Sequence, residues 1–417
     1  MEIVHRSCAG IDIGKRSVTV CVITSGPRGE PHKEVRTFGT LTRDLLALGD
    51  WLDAVGVEAV AMEATGSYWK PIWNLLEERF ELLLANAAHL KAVPGRKTDV
   101  RDAEWIAELF RHGLLRASFI PPRPERELRE LVRYRTSLIR ERAAEINRVA
   151  KVLEGANVKL GSVSTNIGGV SGRAILAAMV EGTTDPDALA DLARGRLRAK
   201  HDALVGALTG GIGTHQRLLL KVQLRHLADL DTLISGLDAE IAERLRAAGA
   251  LIERLVTIPG VGRRTAEVVL AEIGTDMTRF GSARQLASWA GMCPGNHESA
   301  GTRHGGATRR GSPWLRGALV SCARAAARTT TYLGAQYHRL AARRGSKRAL
   351  VAVGHTILGI IFALLRSGQP FRDLGATYFD RHDAERVSRR LTRRLEQLGY
   401  RVTLAPPAAL TVPATAG

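Results

Sequence analysis

Short alternating apolar runs mark the first part of this chain, and longer stripes with three-four spacing mark most of the remainder. AGIDIG (9–14) and VTVCVIT (18–24) are β-rich runs on either side of the polar turn Lys15-Arg16-Ser17, which predicts a hairpin. A third strand is expected near Glu34 to Phe38. Helical spacing comes next over Leu41 to Val55, then the short strand EAVAME (58–63), a second helix over Tyr68 to Phe80 and the strand ELLLANA (81–87). Arg101 to His112 closes the block as an amphipathic helix. Three strands in a row followed by alternating helices and strands predict a mixed α/β sheet and not an all-parallel one. Pro121, Pro122 and Pro124 end the block, because consecutive prolines deny both helix and ladder hydrogen bonds.

Two apolar stripes come after the prolines. Val132, Ile139, Ala143, Ile146, Ala150 and Leu153 form the first; Leu227, Leu230, Ile234, Leu237, Ile241 and Leu245 form the second. Stripes this narrow, flanked by Arg, Glu and Asp, suit a coiled-coil seam or a helical hairpin, between subunits or within one. Between them, about Gly155 to Gly213 reads as a smaller helical insertion. The pattern therefore divides the chain into 1–122 (α/β), 123–249 (coiled-coil or helical), 250–374 (mainly α) and 375–417, a basic helix with an Ala/Pro/Thr tail expected to be disordered.

Charge changes the picture more than overall composition does. Among 417 residues, 60 Lys plus Arg face 42 Asp plus Glu, a net charge of +18. That excess points to a polyanionic partner, nucleic acid before an acidic membrane surface. No run of 18 apolar residues occurs. The best candidate, Leu350 to Leu365, is interrupted by Gly354 and His355 and reads as a buried helix. The start lacks the layout of a signal peptide, so a cytoplasmic, nucleoid-associated protein is expected. Cys8, Cys21, Cys293 and Cys322 show no paired short spacing, which argues against a disulfide framework and a zinc site.

Candidate chemistry begins with acids in costly places. Asp12 lies between Ile11 and Ile13 inside the first strand, and Glu63 ends an apolar strand just before Gly66. Asp99 and Asp102 stand three apart at a helix start and so share a face, although an N-cap and a first-turn acid are the simpler roles. Together the four form a plausible cage for hard divalent cations, which in phosphoryl transfer sit roughly 4 Å apart. Lys91, Arg96, Lys97 and Arg101 would hold a phosphate backbone beside them. GIDIGK also looks like a phosphate loop of sugar kinases, but that reading requires a late Gly-rich adenosine segment and offers no reason for the charge.

Further on, LVTIPGVGRRTAEVVLAEIG has the layout helix, tight turn, helix. Gly260 and Gly262 permit a turn whose amides, with Arg263 and Arg264, can meet a phosphate, as in a helix-hairpin-helix; an ordinary helix connection is the alternative. The string WAGMCPGNHESAGTRHGGATRRGSPWLRGAL then sets Ser299 among glycines and Arg303, Arg309, Arg310 and Arg316. From Ser299 to Phe371 there is no acidic residue at all. A solvated basic face does not explain so complete an exclusion, whereas a phosphodiester-binding surface does. A serine among arginines is also a candidate nucleophile on phosphorus.

In this order GIDIGK, EATGSYW, KTDVRDAEWIAEL, IPGVG and PGNHESAGTR…RRGSPWLRGAL resemble the DEDD transposases of bacterial insertion sequences. The resemblance spans about Gly10 to Ala325. It implies an RNase H-like (RuvC-like) N-terminal domain and a C-terminal serine transposase domain. Asp12, Glu63, Asp99 and Asp102 would be the metal-binding tetrad, with Mg²⁺ as the ion, and Ser299 the nucleophile that joins a DNA end. The family further implies a homodimer or homotetramer with a composite active site, and a structured bridge RNA pairing with donor and target DNA. This chain reads Glu298-Ser299-Ala300-Gly301 where relatives often carry a Ser-Ser or Gly-Gly pair, which leaves Ser312 as the fallback. A junction-resolving nuclease without a covalent intermediate, and a non-catalytic nucleic-acid scaffold, are the competing functions.

Overall fold

The structure, a computed structural model of the chain, describes residues 2–26, 30–64, 66–85, 99–295, 298–299, 302–303, 308 and 311–404, with the backbone alone at 99–101, 298–299 and 302–303. Two compact units result, Met1–Pro124 and Glu125–Gly417.

The first unit is built on strands β1 (Cys8–Ile13), β2 (Ser17–Ser25), β3 (Pro31–Gly39), β4 (Ala59–Glu63) and β5 (Glu81–Ala85), in the order β3-β2-β1-β4-β5. β1 to β3 form an antiparallel meander, while β4 runs parallel to β1 and β5 parallel to β4. This is the mixed sheet that the alternating runs predict, and its order and strand senses are compatible with an RNase H-like domain. β3 extends beyond Glu34–Phe38 because all nine of its residues pair with β2. The helix expected over Tyr68 to Phe80 spans only Trp69–Leu76.

Period-two alternation gives the sheet two buried faces. Ala9, Ile11, Ile13, Val18, Val20, Val22, Val60, Met62 and Leu84 face one core, with Leu45, Leu48, Trp51 and Leu52 of helix Thr42–Val55 and Ile72 and Leu76 of helix Trp69–Leu76. The other face carries small residues, Cys8, Cys21, Ala59, Ala61 and Ala85, and packs against Ala103, Ile106, Ala107 and Phe110 of helix Asp99–Arg111. Small side chains let that helix approach closely. A Cβ on Gly10 would stand 2.3 Å from the Ala107 nitrogen and 2.5 Å from the Ala103 oxygen. Gly10→Ala should therefore destabilise this unit by about 3 kcal/mol, the upper range for overpacking against groups that cannot rotate away. Urea denaturation checks this; an unchanged midpoint would show that the helix shifts freely. Burial pushes the Cys8 thiol on this face up to about 12 and the Cys21 thiol up to about 11, as expected of core cysteines.

In the second unit the two apolar stripes meet each other within one chain. Helices Arg123–Gly155 and Thr214–Arg244 run antiparallel, with Leu138, Leu230 and Ile234 buried between them. Ion pairs Arg244–Glu127, Arg135–Asp238 and Arg142–Asp231 follow the register along the pair. The helical hairpin is thus an intrachain device. The insertion packs at one end of it, where Ile175, Leu176, Met179 and Leu204 share a core with Val149, Leu153, Leu220 and Leu227.

The remaining helices cluster around Ser346–Ser367. By length and apolarity this helix is able to cross a membrane. Here Val353, Ile357, Leu358 and Ile361 are fully buried, and the helix packs against Pro313–Ala326 and Tyr332–Arg344 as the core of the bundle. Two buried acids join the hairpin to helix Arg263–Ile273: Glu267 accepts from Arg135 at 2.6 Å, and Glu272 accepts two bonds from Arg133 at 2.7 and 2.9 Å. Carboxyl groups this deep are tolerated because each meets guanidinium donors.

Candidate functional site

Two places gather the chemistry. The first is the carboxyl edge of the parallel strands β1 and β4. Their last paired position is Ile11 with Met62, so Asp12 and Glu63 are the next residues along, on adjacent strands about 4.8 Å apart. Both alternate onto the face covered by helix Asp99–Arg111, and both are half-buried. The helix runs antiparallel to β1 there: Cys8 Sγ contacts the Ala107 oxygen at 3.9 Å, and Gly10 lies against Ala103 and Ala107. Its N-terminal turn, with half-buried Asp102, is therefore directed toward the end of the sheet that carries Asp12 and Glu63.

All these donors are carboxylate oxygens, which suit a hard cation such as Mg²⁺ or Mn²⁺ and not zinc or copper. In donor chemistry and in sheet face they fit the implied metal. Among the described residues no group of three or more acids, histidines or cysteines is drawn close enough to hold an ion. Asp99 opens the helix, but its side chain and that of Arg101 lie outside the described residues, as do Lys91, Arg96 and Lys97 altogether.

The second place is the segment after Pro294. Glu298–Ser299 and Thr302–Arg303 (β6 and β7) pair antiparallel, with Ser299, the last residue of β6, opposite Thr302. Pro294 and Thr308 bridge at the base. Gly311 closes it: a Cβ there would lie 2.4 Å from the Ala290 carbonyl. The side chains of Ser299 and Arg303, and residues Arg309 and Arg310, lie outside the described residues. Arg316, one turn into helix Pro313–Ala326, is half-buried.

Ser312 caps that helix, accepting from the Leu315 amide at 3.2 Å while donating its proton to Glu272 Oε2 at 2.9 Å. Nothing in the spacing of the chain announces the Ser312–Glu272–Arg133 link, because its members are 40 and 139 residues apart.

Helices Gly249–Val256 and Arg263–Ile273 flank the Pro-Gly-Val-Gly turn, the layout expected of that string. Gly260 has φ +87°, and a Cβ on it would meet the Cys322 oxygen at 2.4 Å. Close packing on helix Pro313–Ala326 thus accounts for that glycine. Gly262, at the N-cap, faces open space. Arg263 pairs with Glu253 at 3.3 Å and Glu267 at 3.4 Å, and Arg264 pairs with Asp238.

The chain is similar to known transposases over both of its units. Residues 9–158 match the DEDD model of IS110 elements, described as "Transposase", and residues 252–339 match "Transposase IS116/IS110/IS902 family". The chain is 28% identical to a "Probable family 20 transposase" of Pseudomonas aeruginosa, over 73% of this chain and 83% of that protein. It is 26% identical to the "Transposase for insertion sequence element IS1111A" of Coxiella burnetii, over 76% and 80%. A "Pilin gene-inverting protein" of Moraxella bovis is 30% identical over 36% of this chain and 47% of its own length. The first matched segment takes in the first hairpin helix, the second starts after the second hairpin helix, and together they cover more than half of the sequence, so the chain belongs to the IS110/IS116/IS902 family of DEDD transposases.

Proposed function

We propose that the chain cleaves and rejoins DNA strands at insertion-sequence ends by metal-assisted phosphoryl transfer with a serine nucleophile. The observation that carries this reading is the placement of Asp12 and Glu63 side by side at the carboxyl edge of β1 and β4, under the N-terminal turn of the helix bearing Asp99 and Asp102. These four would hold Mg²⁺, which when bound supplies charge stabilisation at the phosphoryl oxygens. Lys97 and Arg101 would steady the backbone phosphates beside them.

In the cleavage step the Ser299 Oγ–H bond breaks, an Oγ–P bond forms and a phosphodiester P–O bond breaks. The proton released by Ser299 balances the one gained by the departing DNA hydroxyl. Rejoining reverses these changes with a different DNA hydroxyl. Arg303, Arg309, Arg310 and Arg316 offset charge on the phosphoryl oxygens, and Gly262, Arg263 and Arg264 approach the flanking backbone, with Gly260 shaping the turn that presents them. The acid-free stretch from Ser299 to Phe371 supports this, since no carboxylate there repels the phosphate. Family likeness extends the reading to a homodimer or homotetramer and to a structured RNA that pairs with donor and target DNA.

The test is strand cleavage of a duplex carrying the element end and its flank, with the RNA from that flank present. Chelation by EDTA should abolish product and added Mg²⁺ restore it. Equal cleavage with and without divalent ions would remove the metal cage from the mechanism.

A further inference from the structure

Helix Ala384–Gln397 lies beyond both matched family segments, and none of its residues is buried. At helical periodicity Arg386, Arg389, Arg390, Arg393 and Arg394 occupy one broad side, with Val387, Leu391 and Leu395 on the flank beside it, and Arg389 and Arg393 line a separate groove with Glu385 and Glu396. Its only acids are Glu385 and Glu396. Arg386 and Arg390 form one wall of a groove whose other wall is Arg339 and Arg343 of helix Tyr332–Arg344. Asp380 and Asp383 line it too, and Asp383 pairs with Arg339 at 3.3 Å, which leaves the four guanidiniums in excess over two carboxylates.

We propose that this groove is a second DNA-contacting surface, separate from the Ser299 segment, which grips the phosphodiester backbone of duplex DNA without reading its bases. The cations are guanidiniums, which suit phosphate oxygens through paired donors. Arg386 and Arg390 stand one helical turn apart, about 6 Å of rise, and with Arg339 and Arg343 set four guanidiniums around one groove. Single-strand binders need free aromatic faces on which bases stack. The one ring lining this groove, Phe379, is already stacked on Tyr332 at 5.1 Å and lies under Arg339 at 5.1 Å. The proposal depends on neither the carboxylate cage nor Ser299.

The experiment uses the full-length chain and a fluorescent duplex of arbitrary sequence, titrated between 50 and 200 mM salt, the range over which phosphate contacts are most visible, on the order of a thousandfold or more for a large set. Arg386→Gln/Arg390→Gln should bind roughly tenfold more weakly near physiological salt, with a log–log salt slope shallower by about 2. Arg386→Lys/Arg390→Lys, which keeps the charge, should stay within about threefold of the parent. Lys221→Gln/Arg225→Gln removes two exposed cations elsewhere on the surface and should leave the affinity unchanged. All variants should melt at the parent temperature, since the altered side chains are exposed. The groove is excluded if the Arg386/Arg390 variant keeps the parent affinity and slope, or if the Lys221/Arg225 variant loses as much. A loss seen only with single-stranded RNA or with phosphatidylserine vesicles also overturns it. Repeating the titration in the Asp12→Asn background separates the two readings: groove variants must still lose binding where cleavage is already absent.

Discussion

Asp12→Asn is expected to lower DNA strand cleavage by about three orders of magnitude while leaving folding and DNA affinity intact. Asparagine has the shape of aspartate, so half-buried position 12 on β1 keeps its packing, while the charge that attracts a divalent cation is lost. Removing one preorganised charge-stabilising group commonly costs a factor of about a hundred to a thousand, and a shared metal site amplifies this because one lost ligand weakens the whole site. Glu63→Gln on the neighbouring strand should behave alike. The double variant should be little worse than either single one, as expected of residues that act as a unit. Cleavage of a labelled duplex and equilibrium binding of the same duplex are the paired measurements. Wild-type turnover by Asp12→Asn would end the metal-cage reading; loss of binding together with turnover would instead show a structural role for the aspartate.

Ser299→Ala should eliminate the covalent protein–DNA adduct altogether, because alanine has no oxygen to bond phosphorus. Ser299 ends the two-residue strand β6 and the change deletes a single oxygen, so the melting temperature should stay close to that of the parent. Ser312→Ala is the informative partner. It removes a helix cap and a hydrogen bond to buried Glu272, which should cost about 1–2 kcal/mol of stability, yet adducts should still form. Denaturing gels of trapped reactions, read beside thermal melts, decide between them. Adducts that survive Ser299→Ala and vanish in Ser312→Ala would move the nucleophile to position 312. Adducts absent from the parent protein, with cleavage retained, would favour a hydrolytic junction nuclease.

Local pattern along the chain was enough for the elements of the first unit and for the partition of charge. Alternation at Ala9, Ile11 and Ile13 and again at Val18, Val20 and Val22 is a local property, dictated by which side of a pleated strand each residue faces. Five motifs in order also sufficed to indicate the family. What alternation alone does not contain is strand order. That β4 lies beside β1, bringing Glu63 next to Asp12, depends on a crossover through helix Thr42–Val55 and on the register Ile11 with Met62. The same holds for the two apolar stripes, whose spacing suits a seam between subunits as well as a hairpin within one. Packing at long range, with Arg135 held between Asp238 and Glu267, selects the intrachain pair. Gly10 and Gly260 are legible as glycines, but the reason for each is a helix backbone brought against it from about 60 to 100 residues away. The Ser312–Glu272–Arg133 link has no local signature either, since hydrogen bonds between distant side chains leave no period in the chain. Periodicity reports which way a residue faces; only the folded chain decides what it faces.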